Sequence, residues 1–214
     1  PMAFVVIVGT VVLQSLTARP LASLLGVTEP EPEGVLIYGA NRFSIALAKI
    51  LQAADFRVVI SHSDWDSLRE ARMEGIETFY GSPLSTHAER TLDLSGIGRL
   101  FALSRNSDMN QLCCTYFAHD FGRQNVYYLQ VSGSTPDSAQ GKHNTSPALP
   151  GRRLLPEDTG LAKLLSLMSR GAQLKITHIT ESYDFEQFKR DQPQRIVLLA
   201  YSEGGKIEAY PPRL

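Results

Sequence analysis

The residues best able to hold a ligand lie in four short polar stretches, each following an apolar run. Gly39-Ala40-Asn41-Arg42-Phe43-Ser44 follows VLIYG, His62-Ser63-Asp64 follows RVVIS, Gly81-Ser82-Pro83 ends IETFYG, and Ser104-Arg105-Asn106-Ser107-Asp108 ends RLFALS. Their chemistry is binding rather than bond-making. Gly39 permits a tight turn, the amides that open the following helix present its positive end to an anion, and Arg42 adds a charged donor. GANRFS stands where a G-x-G-x-x-G fingerprint would stand, and only its first glycine is present. No Ser-His-Asp set, paired carboxylates or metal-ligand spacing occurs. His62, His87 and His119 fall in separate helices or loops and read as surface or loop histidines. The expectation is a binding module with no catalytic residue and no metal, not an enzyme.

These stretches need elements to position them. Residues 35–39 form a continuous apolar run, as in a strand buried on both faces of a parallel sheet. Residues 45–56 carry Ile45, Leu47, Ala48, Leu51 and Ala54 at helical spacing. Strands are then expected at 57–61, 76–81, 99–104 and 125–132, and helices at 63–75, 84–96 and 110–122. Ser63 or Asp64 is the expected N-cap of the second helix, and Gly75 its end. Five strands alternating with helices make an α/β, Rossmann-like, doubly wound parallel sheet. Its ligands bind at the carboxyl ends of the strands, near the switch point beside the first strand, which is where the four polar stretches fall.

A formal net charge of -1 argues against a general nucleic-acid binder, so no nucleic-acid partner is expected. The two cysteines, Cys113 and Cys114, are adjacent in an apolar run and read as small buried residues on a helix, in keeping with a reducing compartment. Before the sheet, residues 3–16 (AFVVIVGTVVLQSL) are apolar and uncharged, shorter than the roughly 20 residues of a full span. TARP, 17–20, interrupts the run. LASLLG, 21–26, reads as a short amphipathic turn, and residues 28–34 (TEPEPEG) as a semi-rigid acidic spacer. One reading is the end of a transmembrane helix whose beginning is missing, emerging on the cytoplasmic side. A buried soluble element and an interfacial segment are the alternatives.

After the sheet, residues 133–151 are rich in Ser, Gly, Pro and Thr and read as a linker. Residues 152–214 are expected to form a small α+β domain. Residues 156–158 (PED) start a helix whose stripe of Leu161, Leu164, Leu165 and Met168 faces either that domain's core or a dimer partner, and Gly171 closes it. A strand is expected at 174–182, a short helix over YDFEQFKRD, and a hairpin around residues 203–205. The domains are therefore 1–33, 34–132, the linker 133–151, and 152–214.

The order of pieces resembles the TrkA-N domain, also called the RCK nucleotide-binding domain, attached to the last transmembrane helix of a monovalent cation:proton antiporter. The phrases that carry the likeness are TVVLQSLTARPLASLLGV, VLIYGANRFSIALAKIL, RVVISHSD, FYGSP and LFALSRNSDMNQLCCTYFAHDFG. The resemblance implies a cytosolic regulatory domain that senses a nucleotide, either NAD(H) or an adenine nucleotide. It further implies contact with a membrane domain of the same chain, a homodimer, and a place at the cytoplasmic face of a bacterial inner membrane. By the same resemblance, the cofactor-binding positions are Gly39, Asn41, Arg42, Phe43, Ser44, His62, Ser63, Asp64, Gly81, Ser82, Ser104 and Asn106. Asn41 and Ser44 replace the second and third glycines, and Asn41 is expected to keep the turn by tolerating positive φ. His62 stands where an acidic residue would grip ribose hydroxyls, with Asp64 two residues on, and Ser82 replaces the usual Asp beside Gly81. Two rivals stay open: a Rossmann scaffold without ligand, and a soluble NAD(P)-dependent oxidoreductase.

Overall fold

The computed structural model describes residues 2–24, 32–130, 151–155, 159–180, 184–192, 195–201 and 207–209. The spacer around residues 25–31, the linker 131–150, residues 156–158 and the turn at 203–205 lie outside them. The chain divides into two units, Pro1–Pro32 and Glu33–Leu214.

Among its described residues, the first unit contains the helix α1 (Met2–Leu24). The backbone stays helical past residue 20, where the sequence pattern placed an interruption. Large apolar side chains such as Phe4, Val5, Leu13 and Leu16 are exposed. Its two threonine hydroxyls are turned back onto its own backbone: Thr10 Oγ1 donates to the carbonyls of Val6 and Ile7, and Thr17 Oγ1 to that of Leu13. Among the described residues, no helix is long and apolar enough to cross a membrane.

The second unit is built on a six-stranded sheet, β1 (Gly34–Tyr38), β2 (Val58–His62), β3 (Glu77–Tyr80), β4 (Ile97–Ala102), β5 (Val126–Tyr128) and β6 (Arg152–Arg153). The strand order is β3-β2-β1-β4-β5-β6 and every pairing is parallel. Between the strands run α2 (Arg42–Ala53), α3 (Trp65–Met73), α4 (Thr86–Thr91) and α5 (Ser107–Asp120). The apolar run of β1 is buried along its whole length because helices cover both faces. Val35 and Ile37 point to the face of α2, joining Leu47, Ala48 and Leu51. Leu36 and Tyr38 point to the face of α5, joining Cys113, Cys114 and Phe117. This alternation is what the strand geometry requires.

The sixth strand departs from the expected five. Arg152–Arg153 pairs with β5, and Leu154 and Leu155 bury in the same core as β1 and α2. Residues 152–155 therefore belong to the main sheet and its core, while Leu199–Tyr201 and Ile207–Ala209 form a second, two-stranded sheet. α6 (Leu161–Ser169) has Gly160 as its N-cap; the PED start signal at 156–158 lies outside the described residues. Its stripe is settled as core: Leu161 and Leu164 are buried, with Leu165 and Met168 packed against the α2 cluster. Gly171, at φ +94, closes it. The expected strand at 174–182 has no ladder over residues 172–179; Leu174 and Ile176 are half-buried while Lys175 and Thr177 are exposed, so the alternation is present without a partner strand. α7 (Phe185–Asp191) and the antiparallel pair β7 (Leu199–Tyr201) and β8 (Ile207–Ala209) follow as the pattern predicts.

Candidate nucleotide crevice

The strand order reverses between β1 and β4, so the loops after these two strands diverge and leave a crevice at their carboxyl ends. Gly39 sits at its base with φ +112. A Cβ there would lie 2.6 Å from both the Cα and the amide nitrogen of Ser104, main-chain atoms that cannot swing aside. The glycine is thus needed for the close approach of the β1 and β4 ends as well as for the turn. Its amide donates to the Ser61 carbonyl at 2.9 Å.

Asn41 departs from expectation. Its φ is -159, ordinary extended backbone, so tolerance of positive φ is not what keeps the turn. It is instead the N-cap of α2. Its Oδ1 accepts from the amides of Phe43 and Ser44, both at 3.1 Å, and its Nδ2 donates to the Leu103 carbonyl at 2.9 Å. The Ser44 hydroxyl accepts from the Asn41 amide at 2.8 Å, completing a capping box. Ser44 and the Phe43 ring are buried; Arg42 is exposed.

At the end of β2, His62 is half-buried and its ring meets Tyr38 edge-on at 6.4 Å. Its Nδ1 is buried and has no hydrogen-bond partner among the described residues. Burial pushes its pKa down, opposed by the Asp64 carboxylate, so the ring is neutral near pH 7. Asp64 is the N-cap of α3; it accepts from the Ser67 amide at 2.9 Å and the Ser67 hydroxyl, which hold its carboxyl below the usual range. Ser63 is exposed. At the end of β3, the Gly81 amide donates to the His62 carbonyl and the Gly81 carbonyl accepts from Ser61 Oγ, binding this loop to β2. Ser82 Oγ accepts from the Leu84 amide at 3.3 Å.

At the end of β4, Ser104 is buried and Asn106 caps α5 through the amides of Asp108 and Met109. Asn110, unremarked as a site residue in the sequence, fixes this loop. Its Oδ1 accepts from the Ser104 amide at 3.1 Å and its Nδ2 donates to the Ser104 carbonyl at 2.8 Å. A signal existed: Asn110, Cys113, Cys114 and Phe117 share the i, i+3, i+4, i+7 stripe that α5 buries, and Asn110 is its one polar member. Burial raises the pKa of Tyr38, opposed by the Ser104 side chain of the same loop.

The expected positions are therefore brought together at one edge of the sheet, but several polar groups are already bonded within the protein. Residues 35–135 match the TrkA-N domain. This part of the chain is a TrkA-N domain. No curated protein matches the chain. Among solved structures, the chain is similar to the NAD(P)-binding domain of an exopolyphosphatase-related protein from Archaeoglobus fulgidus, at 18% identity and TM-score 0.44, over 64% of this chain and 95% of that one. A second similar structure is the TrkA-N domain of the inner membrane protein ybaL from Escherichia coli, at 15% identity and TM-score 0.38, over 45% and 71%. A third is the GsuK channel bound to NAD, at 20% identity and TM-score 0.36, over 58% and 24%. Among the described residues no group of His, Cys, Asp and Glu has the geometry of a metal site. Cys113 and Cys114 are fully buried in the TrkA-N domain, and burial pushes both thiols up to about 12.

Proposed function

We propose that this chain is the cytosolic regulatory part of a monovalent cation:proton antiporter, and that the crevice of its TrkA-N domain takes an adenine nucleotide or NAD(H). The carrying observation is the convergence of the loops after β1, β2, β3 and β4 at the switch point of a parallel sheet in β3-β2-β1-β4-β5-β6 order. The exposed apolar helix α1, with its two threonine hydroxyls satisfied internally, supports attachment to an apolar environment such as a membrane domain. In this reading the domain is not an enzyme: it works as a homodimer at the cytoplasmic face, and the nucleotide acts through its different affinity for two arrangements of the domain pair.

One observation favours a second reading, a scaffold without ligand: the Asn41 cap already bonds two of the amides that open α2. Thermal shift of the full chain with NAD, NADH, AMP and ATP separates the two. The sensor reading expects stabilisation that rises with ligand concentration. No stabilisation by any of the four at millimolar levels favours the scaffold, and hydride transfer to any substrate overturns both.

A further inference from the structure

In a parallel sheet of this order, the amides that open the first helix are the groups a diphosphate would meet. Here they have a resident partner. Asn41 Oδ1 takes the amides of Phe43 and Ser44, while Asn41 Nδ2 is tied across the crevice base to the Leu103 carbonyl. Ser44 Oγ, fully buried, takes the Asn41 amide and donates to the Asn41 carbonyl at 2.9 Å. The carboxamide is thus anchored at one end to α2 and at the other to the end of β4. An incoming phosphate would have to break both capping bonds and turn the side chain away from Leu103, leaving that carbonyl without its side-chain donor. The extended backbone of Asn41 is one a glycine also adopts, so the side chain rather than the backbone path fills the cradle.

We infer that Asn41 is a specificity-determining residue that closes this crevice to pyrophosphate, so that it selects adenine nucleosides and nucleoside monophosphates over ADP and dinucleotides. The inference rests on the reading of the crevice as a nucleotide site. It narrows that reading to ligands recognised at the β2 end, where neutral His62 and the outer face of Asp64 stand. The N-terminus of α2 is not a ligand site in the native chain; its own side chain holds it shut.

Calorimetry of the full chain with adenosine, AMP, ADP and NAD tests this, beside the variant Asn41→Gly. Glycine is tolerated as an N-cap, and its thermal melt reports whether the variant folds. The expected result is that the native chain binds ADP and NAD no more tightly than adenosine. Asn41→Gly then gains about tenfold or more for ADP and NAD, with adenosine unchanged. Native binding of ADP or NAD more than about tenfold tighter than adenosine overturns the inference, as does a folded Asn41→Gly that gains nothing. If the native chain binds none of the four while Asn41→Gly binds NAD, the closure by Asn41 stands and the sensor reading fails. Should the variant not fold, the amide resonances of Phe43 and Ser44 in the native chain decide. Saturating AMP leaves them in place if the cap is shut, and a large shift of both overturns the inference.

Discussion

Gly39→Ala is the most informative single perturbation of the fold beneath the crevice. Two costs add. Alanine at φ +112 is in a region L-residues rarely occupy, which costs about 2 kcal/mol. Its Cβ also lands 2.6 Å from the Ser104 Cα and amide nitrogen, so the ends of β1 and β4 must part, which costs about 2 kcal/mol more as overpacking. The total of about 4 kcal/mol is a large share of the 5–15 kcal/mol typical of a domain. Gly81→Ala is the matched control. Its φ is +130, but its Cβ would meet only the Phe79 ring edge at 3.4 Å, so it carries the backbone cost alone. Urea unfolding of the two variants should therefore differ by about 2 kcal/mol, with melting temperatures separated by about 4–8 °C. Equal losses for Gly39→Ala and Gly81→Ala would refute the close approach of β1 to the β4 loop.

Asn110→Ala leaves the buried Ser104 amide and carbonyl without their side-chain partners and should cost about 2–4 kcal/mol in urea unfolding, whereas a surface substitution such as Ser63→Ala should cost under about 0.5 kcal/mol. Cys113 and Cys114, held up at about 12 and fully buried, should resist alkylation at pH 8 in the native chain and both react in denaturant; labelling of the folded protein contradicts their burial. His62 titrates below its ordinary value of 6.5 when folded, so below that pH the unfolded chain binds the extra proton. Its contribution is therefore unchanged at higher pH and turns destabilising as pH falls through 6.5 towards the folded value. His62→Gln should remove this part of the acid-side loss, and parallel pH-melt curves for the two proteins contradict it.

The sheet was legible because buried parallel strands leave continuous apolar runs, and VLIYG, RVVIS and RLFALS each lie in or overlap a strand. The loop positions followed from strand order alone. What the sequence concealed is where each polar group spends its hydrogen bonds. Asn41 read as a substituted glycine, yet its meaning depends on Leu103, 62 residues away, which accepts its Nδ2. Asn110 lay in plain view on the buried stripe of α5, but only the fold brings Ser104 to it. The sixth strand was hidden for a different reason: two residues, Arg152–Arg153, carry no apolar run, and their place is set by Leu154 and Leu155 seeking the core. The segment 172–179 shows the converse, an alternating pattern that finds no ladder. Local pattern fixes which side of an extended segment is buried, and the sheet decides whether it has a neighbour.

The most direct test of the proposed nucleotide site is a titration of the uniformly 15N-labelled full chain with AMP, followed by amide chemical shifts. Binding at the switch-point crevice predicts saturable shifts concentrated at residues 62–64, 81–82 and 104–106, with the interiors of α6 and α7 unmoved. No saturable shift up to millimolar AMP, or shifts confined to residues outside those loops, would contradict it.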